Sequence, residues 1–185
     1  MKFFSLIFLI LLIGCEPKED KPELDFVKID MDPYLGKCPV NIYIDFKNRT
    51  LVFSELQYMA VFEKECDSAY TYESTEKSVD FLRINLNDEE YHLLKSKFNN
   101  NFLESIKKNN QSLLDNPKKY DGIRFDGIVF ELDIVKDNQV FSTDNYLILE
   151  KEDHFKILEV LKVVKKHTKS KDNKEYIDYL SFYLE

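Results

Sequence analysis

With 185 residues the chain has room for one folded domain and is too short for two large ones. Its 15 Phe and 11 Tyr against 4 Gly and 5 Pro demand a packed core, because a chain this aromatic does not stay disordered. Acidic residues number 34 and basic ones 26, a formal net charge of −8, which argues against a broad electrostatic footprint on DNA or RNA.

The chain begins with a basic residue, Lys2, and an apolar run from Phe3 to Ile13 that ends at Gly14-Cys15. This is the pattern of a signal peptide, here residues 1–14, and the run falls short of the ~20 apolar residues that a membrane-crossing helix needs. Leu12-Ile13-Gly14-Cys15 resembles the lipobox of bacterial lipoproteins. That resemblance implies that the Cys15 thiol takes a diacylglycerol, that the Gly–Cys bond is cut, and that the mature chain starts at Cys15. Each buried CH₂ contributes about 0.8 kcal/mol, so two or three acyl chains (palmitate-like in length) make a near-permanent anchor in the membrane. Losing residues 1–14 removes one lysine and no acid, so the mature domain is more acidic still.

Glu16 to Glu23 contains nothing but charge and proline and reads as a tether. Within it, Lys18-Glu19-Asp20 is similar to the acidic export signal that sends Bacteroidota-type lipoproteins to the outer face of the outer membrane; alternatively, its charge only keeps the linker solvated. The expected localisation is the cell envelope, at the outer membrane, on its periplasmic side or at the cell surface. Residues 15–33 are then lipidated cysteine, tether and lead-in, with residues 34–185 forming one globular domain.

Leu24 to Tyr34 mixes Asp25, Asp30 and Asp32 with Phe26, Val27 and Ile29, and reads as a lead-in or short edge strand. Val40 to Phe46 alternates strictly, which predicts a half-buried strand; Lys47 to Thr50 is a turn and Leu51 to Ser54 its hairpin partner. Gln57 to Glu63, Ala69 to Glu73 and Val79 to Leu86 have strand composition. Asn87 with Glu90 forms a capping box for a helix carrying Tyr91, Leu94 and Phe98, with Leu86 and Tyr91 as its apolar staple. Asn99 to Asn101 interrupts that helix before Phe102, Leu103 and Ile106, and Lys107 to Lys119 reads as a solvated loop.

Asp121-Gly122 opens a second β section through Ile134, with a bulge expected near Asp126-Gly127. Asp137-Asn138 turns it back along Gln139 to Thr143 and Tyr146 to Leu149. Ile157, Leu158, Leu161 and Val164 mark an amphipathic helix over 152–166. Asp172 with Glu175 suggests a capping box for a last helix, whose β-prone tyrosines leave a strand as the alternative. The order predicts a single-domain α+β fold, an antiparallel sheet with helices packed on one face.

Cys38-Pro39-Val40 leading into a hairpin, the capped helix after Asn87, the Asp-Gly strand pair and the late helix resemble a family of uncharacterised envelope lipoproteins of bacteria that open with a C-P-x-Y strand. The likeness spans roughly residues 36–166; Asn41 stands where that family has an aromatic residue, and Arg49-Thr50 where it has Asp-Gly. It implies the architecture and no activity.

With Cys15 acylated, Cys38 and Cys66 remain. They can pair, closing a loop of about 28 residues for roughly 3 kcal/mol, or pack as two buried free thiols. Glycines only at 14, 36, 122 and 127 exclude a nucleophile elbow, a phosphate loop and a dinucleotide fingerprint, all of which need clustered glycine. His92, His154 and His167 lack zinc-ligand spacing, and no metal or other cofactor is expected. Asp30, Asp32 and Gly36 match a calcium loop poorly, and Asp121, Asp126 and Glu131 read as turn and strand residues rather than catalytic acids. Lysines 162, 165, 166, 169, 171 and 174 form one basic patch near a helix end, where cations ordinarily sit.

What remains is a non-enzymatic domain anchored in the envelope that binds another macromolecule, expected to be a protein with a basic face. Its sharpest form is an immunity-type lipoprotein neutralising a toxin. A small-ligand carrier or an envelope enzyme without a recognisable motif is the alternative.

Overall fold

The computed structural model describes residues 22–33, 39–55, 58–60, 74–76, 80–115, 128–143 and 149–185. Within them a six-stranded antiparallel sheet is built from β1 (Phe26–Pro33), β2 (Val40–Asp45), β3 (Thr50–Glu55), β6 (Asp80–Asn85), β7 (Ile128–Lys136) and β8 (Gln139–Ser142), in the order β6-β3-β2-β1-β7-β8. β4 (Tyr58–Ala60) and β5 (Ser74–Glu76) pair separately. Four helices complete the α+β fold: α1 (Asp88–Lys97), α2 (Asn100–Asp115), α3 (Lys151–His167) and α4 (Lys171–Phe182).

Strand alternation sorts residues onto two faces, and the pairing register keeps them sorted across the sheet. Val27, Ile29 and Met31 of β1 lie opposite Ile44, Ile42 and Val40 on one side and Ile134, Leu132 and Phe130 on the other. Leu51, Phe53 and Ile84 extend this apolar face to β6. The helices cover it with Leu94, Phe98, Phe102, Ile106, Ile157, Leu161, Val164, Ile177 and Leu180, all buried in one continuous core. At about 1.5–3 kcal/mol for each fully buried large side chain, this layer is the main source of stability. Phe98 sits at its centre, with ring centroids 6.4 Å from Phe46 and 4.9 Å from Phe102.

Local signals set several boundaries as expected. Asn87 caps α1 by accepting from the Glu90 backbone N–H at 2.9 Å, while the Glu90 side chain returns to the Asn87 N–H. Asp137 and Asn138 both have positive φ, 50° and 62°, which lets a two-residue turn match the twist of β7 and β8. Arg49 also adopts positive φ, 50°, in the turn before β3; its guanidinium lies 4.4 Å from the Tyr91 ring centroid and pairs with Asp88 at 2.8 Å, so tertiary contacts hold a conformation its own backbone disfavours.

Four expectations are corrected. The lead-in before residue 34 is a central strand of the sheet: β1 pairs with β2 over Phe26 to Met31 and with β7 along its length, and Leu24, Val27, Ile29 and Met31 are fully buried. The tether also ends earlier than residue 23, because the Glu23 carboxylate accepts from the Asn100 N–H at 2.8 Å, at the start of α2. Residues 107–115, read as loop from their Asn, Lys and Ser content, continue α2, since burial of Phe102, Leu103, Ile106 and Asn110 along one face outweighs weak intrinsic propensity. The last helix is capped by Ser170, which accepts from Asn173, rather than by Asp172. The C-terminal segment is helical. The bulge expected near Asp126-Gly127 and all but Leu149 of the strand expected over Tyr146 to Leu149 lie outside the described residues.

A largely buried polar tie joins α1 to α3. Glu90, its side chain 4% exposed, accepts from Lys166 Nζ at 2.7 Å and lies 3.0 Å from His167 Nε2, bolting the start of α1 to the end of α3. Burial works against the charge on Glu90, but the bonds from Lys166, His167 and Asn87 outweigh it and hold its carboxyl below the ordinary range. A depressed carboxylate contributes stability that is present above its unfolded pKa, near 4.5, and is lost as pH falls through the folded value. In urea titrations, Glu90→Gln is therefore expected to lower stability at pH 7 and to flatten the decline below pH 5; an acid limb as steep as wild type contradicts this account. Phe98→Ala should cost roughly 3–5 kcal/mol and Asn87→Ala roughly 1 kcal/mol in the same titration.

Candidate protein-binding face

The side of the sheet turned away from the helices carries a different set of residues in three aligned rows. Asn85, Thr50, Asp45, Phe26, Val135 and Val140 form one row; Arg83, Val52, Tyr43, Lys28, Asp133 and Ser142 the next; and Phe81, Ser54, Asn41, Asp30 and Glu131 the third, with Asp32 and Val129 beyond it. Among the described residues no helix lies over this face. Phe81, Val140, Asp32, Arg83 and Glu131 are exposed on it, and Lys28, Asp30, Tyr43 and Asp133 are half-buried.

Its chemistry is concentrated where β1 meets β7. Cross-strand neighbours on one face stand about 4.5–5.5 Å apart, so Asp30 and Glu131, which are register partners, and Asp133 and Asp32 beside them place four carboxylates within one patch. Among the described residues Lys28 is the cation that offsets them, 2.5 Å from Asp30 Oδ2 and 3.5 Å from Asp133 Oδ2. The hydrogen bond to Asp30 outweighs partial burial, and with the nearby charges of Asp30 and Asp133 it lifts Lys28 above its ordinary pKa. Ser142 Oγ donates to Asp133 at 2.6 Å, fixing that carboxylate. Asp30 Oδ1 is buried without a hydrogen-bond partner. Towards β6, Phe26 and Tyr43 pair at 6.2 Å, so acid and aromatic surface adjoin.

Of the residues singled out in the sequence, Asp30, Asp32 and Glu131 are brought together here. Cys15, Cys38, Cys66, Gly36, Asp121 and Asp126 lie outside the described residues. Among the described residues no group of three or more His, Cys, Asp or Glu side chains is arranged to hold a metal ion, and no helix is long and apolar enough to cross a membrane. His92 is exposed and stands beside the Tyr91 ring. His167 joins the Glu90 tie, and His154 lies 5.8 Å from the Phe130 ring, where burial keeps it below its ordinary pKa.

The lysine patch is largely engaged by acids. Lys162 pairs with Glu159, Lys165 with Asp178, Lys166 with Glu90 and Lys171 with Glu175. Asp153, 1% exposed, accepts from Ser105 at 2.7 Å and from Lys156 at 2.5 Å, linking α2 to α3. The residues that sequence reading missed are Lys28 and Asp133. The alternation of Val27, Ile29 and Met31 with Lys28, Asp30 and Asp32 was the available signal for β1, whereas the pairing of β1 with β7 had none.

Compared with known proteins, the chain matches no protein-family model, no curated sequence and no solved structure.

Because Lys28 is raised in the folded state, its contribution is present below its unfolded pKa, near 10.5, and is lost as pH rises through the folded value. Lys28→Met, which keeps length and removes charge, should lower the denaturation midpoint at pH 7, and the deficit should shrink as pH is raised from 7 through the folded pKa of Lys28. A deficit constant across that range would mean that Lys28 acts by packing alone.

Proposed function

We propose that this is a lipid-anchored protein of the bacterial cell envelope that acts without catalysis, by binding a protein partner with a basic surface on the polar face of its sheet. The observation that carries the reading is the cluster of Asp30, Asp32, Glu131 and Asp133 around Lys28, beside the Phe26–Tyr43 pair, on a face that no described helix covers. Opposed charge steers encounter and sets register, while adjoining aromatic surface supplies contact area that desolvates on binding. The four acids cannot serve as a nucleic-acid footprint, which needs the opposite sign.

The sequence adds the location. The lipobox-like Leu12-Ile13-Gly14-Cys15 supports anchoring through Cys15, and the acidic Lys18-Glu19-Asp20 supports the outer membrane, on its periplasmic side or at the cell surface. An acidic domain on a permanent anchor suits interception of a basic protein that arrives from outside, and in its sharpest form this is immunity against a toxin. A toxin gene beside this one would favour that form.

Two measurements test the proposal. Metabolic labelling with a palmitate analogue should mark the wild-type protein and leave Cys15→Ser unmarked; label on the Ser variant removes the anchor from Cys15. Pull-down from detergent-solubilised envelopes should recover a basic protein with wild type and lose it with Asp32→Lys/Glu131→Lys, while a control pair on the helices, Glu104→Lys/Glu175→Lys, retains it. Its association rate should fall as salt rises from 0.01 to 0.15 M, where the Debye length shrinks from about 30 to about 8 Å. Equal loss in both charge-reversed pairs, or a rate indifferent to salt, refutes the assignment of the face.

A further inference from the structure

We propose that the anchored domain stands with one defined end towards the bilayer: the end formed by Glu23 to Phe26, the 46–49 turn and the Asp137-Asn138 turn. This inference rests on the reading of Cys15 as the lipidated residue. The partner of this end is the lipid headgroup surface, and the polar face is consequently turned sideways, along the membrane plane.

Chain length makes the argument. Six residues separate Cys15 from Pro22, the first described residue, and at 3.3–3.6 Å per residue the whole link reaches about 24 Å when fully straight. The fold adds no slack, because the chain is fastened as soon as it arrives. Glu23 accepts from the Asn100 N–H at 2.8 Å, and Leu24 is fully buried. Asp25 then donates its N–H to Val135 O at 2.8 Å, accepts from the Phe46 N–H at 3.0 Å, and pairs through Oδ1 with Lys47 at 3.2 Å. Three consecutive residues thus grip α2, β7 and the turn after β2.

The register defines the two ends. Phe26 lies opposite Asp45 and Val135, so the 46–49 turn and the 137–138 turn share its end. Pro33, Ile128, Val40 and Glu55 mark the other. At about 3.3 Å per residue, β1 carries that far end roughly 23 Å away from Phe26. An inverted domain, with Pro33 on the bilayer, would need the tether drawn straight and held there against its conformational entropy. The near end also suits a lipid surface by charge. Lys47, paired with Asp25, and Arg49, paired with Asp88, set cations among the acids of this end, which include Glu23, Asp45 and Asp137; in the cluster of Asp30, Asp32, Glu131 and Asp133 the described counter-charge is Lys28, and anionic headgroups repel that cluster.

The test uses the full-length protein in its own membranes, with a photo-crosslinking amino acid at Asn48 or Gln139 on the near end and at Phe81 or Asp32 on the far side of the register, all four exposed. Lipid adducts counted by mass spectrometry should be at least five-fold more frequent at 48 and 139 than at 81 and 32. Inserting 20 Gly/Ser residues after Asp20 should erase the difference. Equal or reversed yields with the native tether, or a difference that survives the insertion, overturn the proposal. Detergent phase partitioning of the same samples separates the two ideas. A water-soluble chain would remove the Cys15 reading and with it the proposal, whereas a detergent-phase chain with reversed yields would remove the orientation alone.

Discussion

The pairing of β1 with β7 is the constraint on which the rest of the fold depends. Without it the chain would consist of a meander, β1-β2-β3-β6, made from the first half, and a lone hairpin, β7-β8, made from the second. A two-stranded hairpin is marginal in water, and the meander alone would leave the long β1 edge unpaired. The eight-residue register from Phe26↔Val135 to Pro33↔Ile128 turns these pieces into one sheet wide enough to carry four helices. The same register sets Leu132 and Ile134 beside Ile29 and Val27 on the buried side and Glu131 and Asp133 beside Asp30 and Lys28 on the other. Core and candidate binding face are two products of one pairing.

The two sides of the sheet are held by different physics. On the helix side, burial of Ile29, Ile42, Leu132 and their neighbours is non-directional and forgiving of modest change in shape. On the polar side, four acids stand within one patch, and their mutual repulsion is a standing cost that Lys28, Ser142 and the β1 and β7 backbones offset by fixing geometry. A stability-driven sequence has little reason to keep that arrangement, since Thr, Val or Tyr at these positions would satisfy a solvated strand better. A function served by concentrated negative charge supplies a reason.

The sequence was most informative where a signal is local. The strict alternation of Val40 to Asp45 and the Asn87/Glu90 capping box each satisfy a rule of short range, and β2 and the start of α1 fall where those rules put them. β1 was misjudged because Asp25, Asp30 and Asp32 are poor strand formers and Pro33 follows, although Val27, Ile29 and Met31 already alternated; tertiary pairing on both edges overrode composition. The tail of α2 was missed for the same kind of reason, since the burial that stabilises Asn110 and Ile106 comes from elements distant in the chain. The candidate face was legible only as separate acids. Asp30 and Glu131 each stand out in the sequence, but no local rule predicts that they stand opposite one another, and Lys28 between Asp30 and Asp133 is a product of topology.

The position of β1 also bears on the time course of folding. Val27 meets Ile134 across more than half of the chain, and that closure cannot begin until β7 has been synthesised and released. Until then one edge of β1 stays open and Leu24 lacks a finished core to enter. A chain assembled this way remains threadable for most of its length and closes late. Folding of the sheet is thereby coupled to completion of its second half, since β7 supplies the partner for the whole length of β1.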